Sequence, residues 1–227
     1  MHFLLVGATG EAGLNVVVEL LLQGHTAVAL VPPSAYTKLV FFHRRLTIVV
    51  GSPLSKSDIE NALHAAPSLT PSAAIITLNV VRPFATRISL PRFLADSCAN
   101  VCDVLQAAGI SRVVVKSVAG VGDSFAQLPQ EIKASMLLPS AKYLLEDYGL
   151  VDEEIRRTKM DWTLVRAVRV QYHDSMPPNQ KLDVQTLGSN GEGMGLADCV
   201  SVVNLARFMV KVAAEGLFVR EAVVVRD

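Results

Sequence analysis

The sequence predicts an α/β protein built on a doubly wound parallel sheet, and three observations carry the prediction. Short Val/Ile/Leu-rich runs alternate with longer stretches of helical period up to about Arg166, the signature of βαβ units. The runs are apolar almost throughout rather than alternating, as strands covered by helices on both faces must be. The first run passes through a glycine-rich turn, Gly7-Ala8-Thr9-Gly10-Glu11-Ala12-Gly13, straight into a helical pattern.

The strands are read as His2–Val6, Ala27–Val31, Leu46–Val50, Ala73–Leu78, Arg112–Lys116 and Trp162–Arg166. Between them, Glu11–Gln23 is helical and stops at Gly24, a residue suited to closing a helix. Ser57–Ala66 is a second helix, with Ser57 as N-cap and Glu60 at capping-box spacing. Pro91–Ala108 ends at Gly109, and Tyr148–Thr158 leads into the sixth strand. Beyond Arg166 the alternation fades. Asp174–Asn179 reads as a loop, and Gly188–Gly195 as a mobile glycine-rich connection that lacks the strand and helix of a second phosphate loop. Ser201 caps a last helix running through Val212, and Glu221–Val225 closes the chain as a strand. The whole is read as one domain, 1–227, in which about 167–227 forms a small C-terminal, substrate-capping lobe.

Composition narrows the function. Half of the residues are hydrophobic (51%) and 19% are charged, the profile of a protein with a large core. Lys plus Arg (21) balances Asp plus Glu (21), so no global charge recruits nucleic acid or an anionic membrane. Apolar runs are broken well short of the roughly 20 residues of a membrane span. Met1–Gly7 reads as a first strand, not a signal peptide. Cys98 and Cys102 stand four apart on a helical pattern, and with Cys199 the cysteine count is odd. Core packing is the simpler reading than a disulfide or metal site, which places the protein in a reducing cytoplasm.

The glycine turn carries the chemistry. Gly7 permits the tight turn, Gly10 lets backbone approach a pyrophosphate, and Gly13 lets the helix pack close to the strand. The helix N-terminus then offers free N–H groups and partial positive charge to phosphates. Together these define a Rossmann-type dinucleotide site. An NAD site wants a carboxylate at the end of the second strand, but the chain there reads Val31-Pro32-Pro33-Ser34. NADP is therefore expected and NAD disfavoured, with Ser34, Thr37 and Lys38, and later His43-Arg44-Arg45, as donors for a 2′-phosphate.

Three segments together carry a family resemblance: the opening Gly-Ala-Thr-Gly-x-x-Gly, Val113–Ser124 and Val151–Arg166. The chain resembles the atypical short-chain dehydrogenases, within them the NmrA-like NAD(P)-binding proteins, and especially their fungal branch with its Gly-Val-Gly-Asp-Ser segment. The likeness runs over about residues 1–215. It implies that Gly7, Thr9, Gly10, Glu11 and Ala12 wrap the pyrophosphate, that Leu78 and Asn79 approach the adenosine ribose, and that Ser117 and Val118 approach the nicotinamide ribose. Three positions depart from the family pattern: Pro32 for Arg, Ser52 for Asp, and Ala167 for Pro. All three face the cofactor, so loss of cofactor is an open alternative.

For acid–base work, the better-known short-chain dehydrogenases use Tyr and Lys four residues apart. Here Tyr143 is followed at that spacing by Asp147, and Tyr148 by Asp152, so that mechanism is disfavoured. Tyr148, standing where the fungal relatives usually carry His, is the candidate proton donor or else a core or helix-capping aromatic, with Ser117 as a further catalytic candidate and Asp123 and Ser124 as candidates for orienting substrate. Glu153, Glu154, Arg156 and Arg157 read as a solvated helix face, and His173 as an exposed loop residue. The resemblance implies an NADP-dependent oxidoreductase acting on a small organic substrate, in secondary metabolism. A non-redox isomerase or cyclase reusing the cleft, and an NADP-sensing binding protein, remain open. The Pro91–Ala108 helix offers a homodimer face unless the C-terminal segment covers it.

Overall fold

The computed structural model describes residues 1–38, 43–66, 68–79, 92–172 and 184–227. The expected loop at Asp174–Asn179, His173, and Pro91 at the start of the third helix lie outside the described residues.

The chain runs β1 (His2–Val6), α1 (Glu11–Leu22), β2 (Thr26–Val31), β3 (Leu46–Val50), α2 (Lys56–His64), β4 (Ala73–Ile76), α3 (Phe93–Ala107) and β5 (Arg112–Val118). It continues with α4 (Gln130–Met136), α5 (Pro139–Arg157), β6 (Asp161–Ala167), β7 (Arg169–Gln171), β8 (Gln185–Thr186), β9 (Cys199–Ser201), α6 (Val202–Glu215) and β10 (Glu221–Arg226). Eight strands form one sheet in the order β3-β2-β1-β4-β5-β6-β10-β8. All pair in parallel except β8, which runs antiparallel on the β10 edge. Strand order reverses between β1 and β4, where Val6 pairs with Leu30 on one side and Ile76 on the other. A ligand crevice opens at such a switch point.

Side-chain alternation divides the core into two layers. Leu4, Val6, Val28, Leu30, Val113 and Val115 face α2, α3 and α5. Phe3, Leu5, Ala27, Ala29 and Val114 face α1 and α6. Each fully buried aliphatic side chain contributes about 1.5–3 kcal/mol, which explains why the strands are apolar on both faces. Arg112 ties the layers together: buried, it donates to the carbonyls of Asp161 (2.6 Å), Val212 (2.9 Å) and Leu217 (2.8 Å). Its desolvation pulls the guanidinium pKa down to about 10.

Several details differ from the sequence expectation. α2 is capped by Ser55, whose hydroxyl accepts from the Asp58 N–H, and Ser57 lies inside the helix. α5 begins at Pro139, a residue pre-set for a first helical turn, so Tyr148 is mid-helix rather than at the start. The apolar face of α3 is covered by α2 and α5, not by the C-terminal segment; that leaves the homodimer expectation without this surface. Residues 202–227 pack on and extend the main sheet as α6 and β10, and β8 joins its edge, so of the described strands only the β7–β9 pair lies apart from it.

Cys98 and Cys102 are buried free thiols in the α3 core. Burial pushes both thiol pKa values up, that of Cys102 to about 12. Among the described residues no group of His, Cys, Asp and Glu could hold a metal ion, and no helix is long and apolar enough to cross a membrane.

Candidate functional site

The glycine turn leaves β1 at Gly7, whose φ of +95° suits glycine. A side chain there would also strike the Leu78 nitrogen at 2.7 Å. Thr77, just past β4, locks the turn by donating its hydroxyl to the Gly7 carbonyl (3.1 Å). Gly13 sits so close beneath that an added Cβ would lie 2.1 Å from the Gly7 oxygen. Gly10 is different: a Cβ would meet only that oxygen, at 3.7 Å, with open space beyond. Gly10 is the N-cap of α1 and no side chain caps it. The first N–H groups of the helix therefore point at an open surface, the arrangement that receives a phosphate. Thr9 is half-buried, Glu11 exposed and Ala12 buried along this rim.

A cavity of about 460 Å³ lies past the C-terminal ends of β4, β5 and β6. Asn79, Val118 and Ala167 line it from the sheet side. Leu128, Ile132 and Met136, from the segment that builds α4, line it together with Val168 and Met194. One charged side chain lines it from within the core. Lys116 of β5 is only 4% exposed. Its ammonium donates to the Tyr148 hydroxyl at 3.3 Å, and that hydroxyl donates to the Leu78 carbonyl at 3.3 Å. The ammonium also stands 5.6 Å from the Tyr148 ring centre. Burial lowers the Lys116 pKa, opposed by the nearby Tyr172. Burial likewise raises that of Tyr148, with Cys98 and Asp147 adding to it. A Tyr–Lys pair thus exists, assembled across two elements.

A profile of proteins described as NAD(P)H-binding matches residues 7–216. The chain belongs to this NAD(P)H-binding family. Among solved structures, this NAD(P)H-binding chain is similar to a wide-type short-chain dehydrogenase/reductase from Veillonella parvula in complex with NADP. The TM-score is 0.76 at 16% identity, over 100% of this chain and 94% of the other. It is also similar to an anaerobilin reductase from Escherichia coli O157:H7, with a TM-score of 0.73 at 20% identity over 99% and 96% of the two chains. These likenesses share the fold. No curated protein matches the chain.

On this NAD(P)H-binding frame the sequence-derived residues fall into separate places. Gly7, Thr9, Gly10, Glu11, Ala12 and Gly13 form the turn at the switch point, with Leu78 packed against it. Asn79 and Val118 line the cavity. Ser117 is 1% exposed and its hydroxyl finds no partner among the described residues. Ser34 is exposed after β2, and the Thr37 and Lys38 side chains lie outside the described part. The Ser52 N–H donates to Asp58 (2.8 Å), so a carboxylate does stand at that corner, from α2.

Asp123 is not among the cavity-lining residues; Arg166 engages it. Arg166 is fully buried and also binds Asp152 (2.6 Å) and the Ser189 carbonyl (2.7 Å). Asp152, four residues beyond Tyr148, is therefore committed to Arg166 and Arg156 (2.8 Å), not to the phenol. Asp147 caps α3 by accepting from the Leu94 and Ala95 N–H groups (2.8 and 3.0 Å). Sequence reading missed Lys116 because a lysine inside a strand run carries no local signal; its partner is 32 residues away. The α4 wall was missed because Pro129 and Pro139 bracket a run too short to show a helical period.

The residues present fit a dinucleotide. The open space over Gly10 and the uncapped start of α1 would hold the pyrophosphate. Val118 and Ala167 would flank the nicotinamide end.

Proposed function

We propose that this protein is an NADP-dependent oxidoreductase of the NmrA-like, atypical short-chain dehydrogenase type, acting in the cytoplasm on a small, largely apolar organic substrate. Its resemblance to the fungal branch suggests a place in secondary metabolism. One observation carries the reading: the glycine turn and the apolar cavity both lie past the C-terminal ends of the sheet strands, with Leu78 against the turn and Asn79 in the cavity wall. When bound, the nicotinamide supplies or accepts the hydride. The chain's own residues bind, orient and exclude water. The Gly7–Gly13 turn fixes the phosphates through backbone N–H groups. Leu128, Ile132 and Met136 keep the far wall dry, and a dry site strengthens every electrostatic contact inside it. Lys116, backed by Tyr148, presents a buried ammonium to the cavity.

NADP is favoured over NAD because β2 ends in Val31 and Pro32 with no carboxylate to bind the free ribose hydroxyls. Calorimetric titration with NADPH and NADH tests this, with NADPH expected to bind at least about tenfold more tightly. Binding of neither at millimolar concentration overturns the reading. Binding without oxidation across a panel of carbonyls and enones would make the protein an NADP sensor instead.

A further inference from the structure

A buried ammonium normally has a carboxylate beside it, because desolvation otherwise disfavours its charge. Lys116 has none. Among the described residues its only hydrogen bond is to the neutral Tyr148 hydroxyl, leaving two of its three donors unused at the wall of a ligand-sized cavity. The other charged side chains lining that cavity are differently placed. Asp198 is bound by Arg226 (2.8 Å) and by the Gly195 N–H (2.8 Å), and Arg169 is exposed. The cavity lining also includes the apolar Val118, Leu128, Ile132, Met136 and Leu144, and Tyr172 stands near the ammonium. Among the described residues the site therefore combines a largely apolar lining with one buried positive charge that no carboxylate pairs.

We propose that this cavity selects an apolar organic acid, whose carboxylate seats on the Lys116 ammonium and supplies its missing counter-charge. The inference rests on the reading of the cavity as the substrate end of the cleft, and it names the substrate class. Tyr148 acts as a positioning residue. Pinned between Lys116 and the Leu78 carbonyl, it holds the ammonium at the wall. The lowered proton affinity of buried Lys116 is restored when an anion arrives, so binding and charge reinforce each other.

The test compares naphthalene-2-carboxylate with naphthalene-2-carboxamide, equal in shape but unequal in charge, by calorimetry on the full chain. The wild type is expected to prefer the carboxylate about thirty-fold, the size of one charge-assisted hydrogen bond. Lys116→Met removes the preference but retains carboxamide binding and NADPH affinity. Lys116→Arg keeps the preference, a control against a merely structural loss. Tyr148→Phe reduces the preference while leaving carboxamide binding intact. Equal affinities in the wild type, or no binding of either compound at millimolar concentration, overturn the proposal without any variant needing to fold. So does a Lys116→Met protein that loses NADPH affinity to the same degree, since Lys116 would then belong to the cofactor. Failure of the wild type to bind NADPH sinks the oxidoreductase reading separately, because the acid preference is measured without cofactor.

Discussion

Arg166 and Gly13 set limits on what the cleft tolerates, one by charge and one by space. Fully buried Arg166 is flanked by Asp123, Asp152 and the Ser189 carbonyl, and Gly122 leaves the room it needs: a Cβ there would lie 2.7 Å from its Nη2. Arg166→Met leaves the buried Asp152 carboxylate with Arg156 as its remaining cation and is expected to cost about 1–3 kcal/mol, read by urea denaturation. Asp123 shows the acid side of the same cluster. Burial pushes its pKa up, but hydrogen bonds from Arg166 and Ser189 and the Arg166 charge outweigh this and hold it below the usual carboxylate range. Its contribution is therefore complete above the unfolded value of about 3.9 and is lost as pH falls through the lower folded value. Melting temperature should fall from about pH 5 downward, and Asp123→Asn should flatten the lowest part of that curve. In the turn, two alanine substitutions separate folding from binding. Gly13→Ala drives a methyl into the Gly7 carbonyl and is expected to cost about 1–3 kcal/mol. Gly10→Ala meets nothing closer than 3.7 Å and should cost under about 1 kcal/mol, yet lose NADPH affinity because the methyl fills the phosphate space.

At the level of elements, α6 is fastened at both ends. Ser201 accepts from the Asn204 N–H (3.1 Å) at its start, and Gly216, at φ +65°, turns the chain out at its end. Arg112 then satisfies carbonyls of Val212 and Leu217 at that end, where a cation also suits the helix dipole. Arg112→Met removes three hydrogen bonds, although the Val212 carbonyl keeps the Leu217 N–H and the Leu217 carbonyl keeps the Thr163 hydroxyl; it is expected to destabilise by about 2–4 kcal/mol in urea, without changing cofactor affinity at the opposite sheet edge. Which elements could be read from the residues follows from the same physics. The seven longer strands, β1–β6 and β10, were legible because burial of most of them on both faces makes them nearly continuous apolar runs. β7, β8 and β9 hold two or three residues each, too few to show any period. Ser55 and Ser57 both offer hydroxyls near the start of α2, and only the fold decides that Ser55 meets the Asp58 N–H.

The whole molecule responds to its ligand as a unit. A cofactor that binds only the folded state adds stability by mass action, so NADPH at a hundred times its dissociation constant should add about 2.7 kcal/mol and raise the melting temperature. Thermal melts with and without NADPH check this, and the Gly10→Ala protein should show no shift. The site was legible only where it is local: the seven residues of the turn announce themselves, whereas Lys116 meets Tyr148 through the packing of α5 on the sheet. Topology also has a consequence for biosynthesis. α1 lies against α6, with Val16, Val17 and Leu20 in one core cluster with Leu205, Met209 and Val212, and Glu19 paired with Arg207 (3.5 Å). During synthesis α1 thus keeps an uncovered apolar face until α6 has been translated. A chain truncated ahead of Val202 would leave that face bare and is expected to be held by chaperones rather than to fold as a smaller unit.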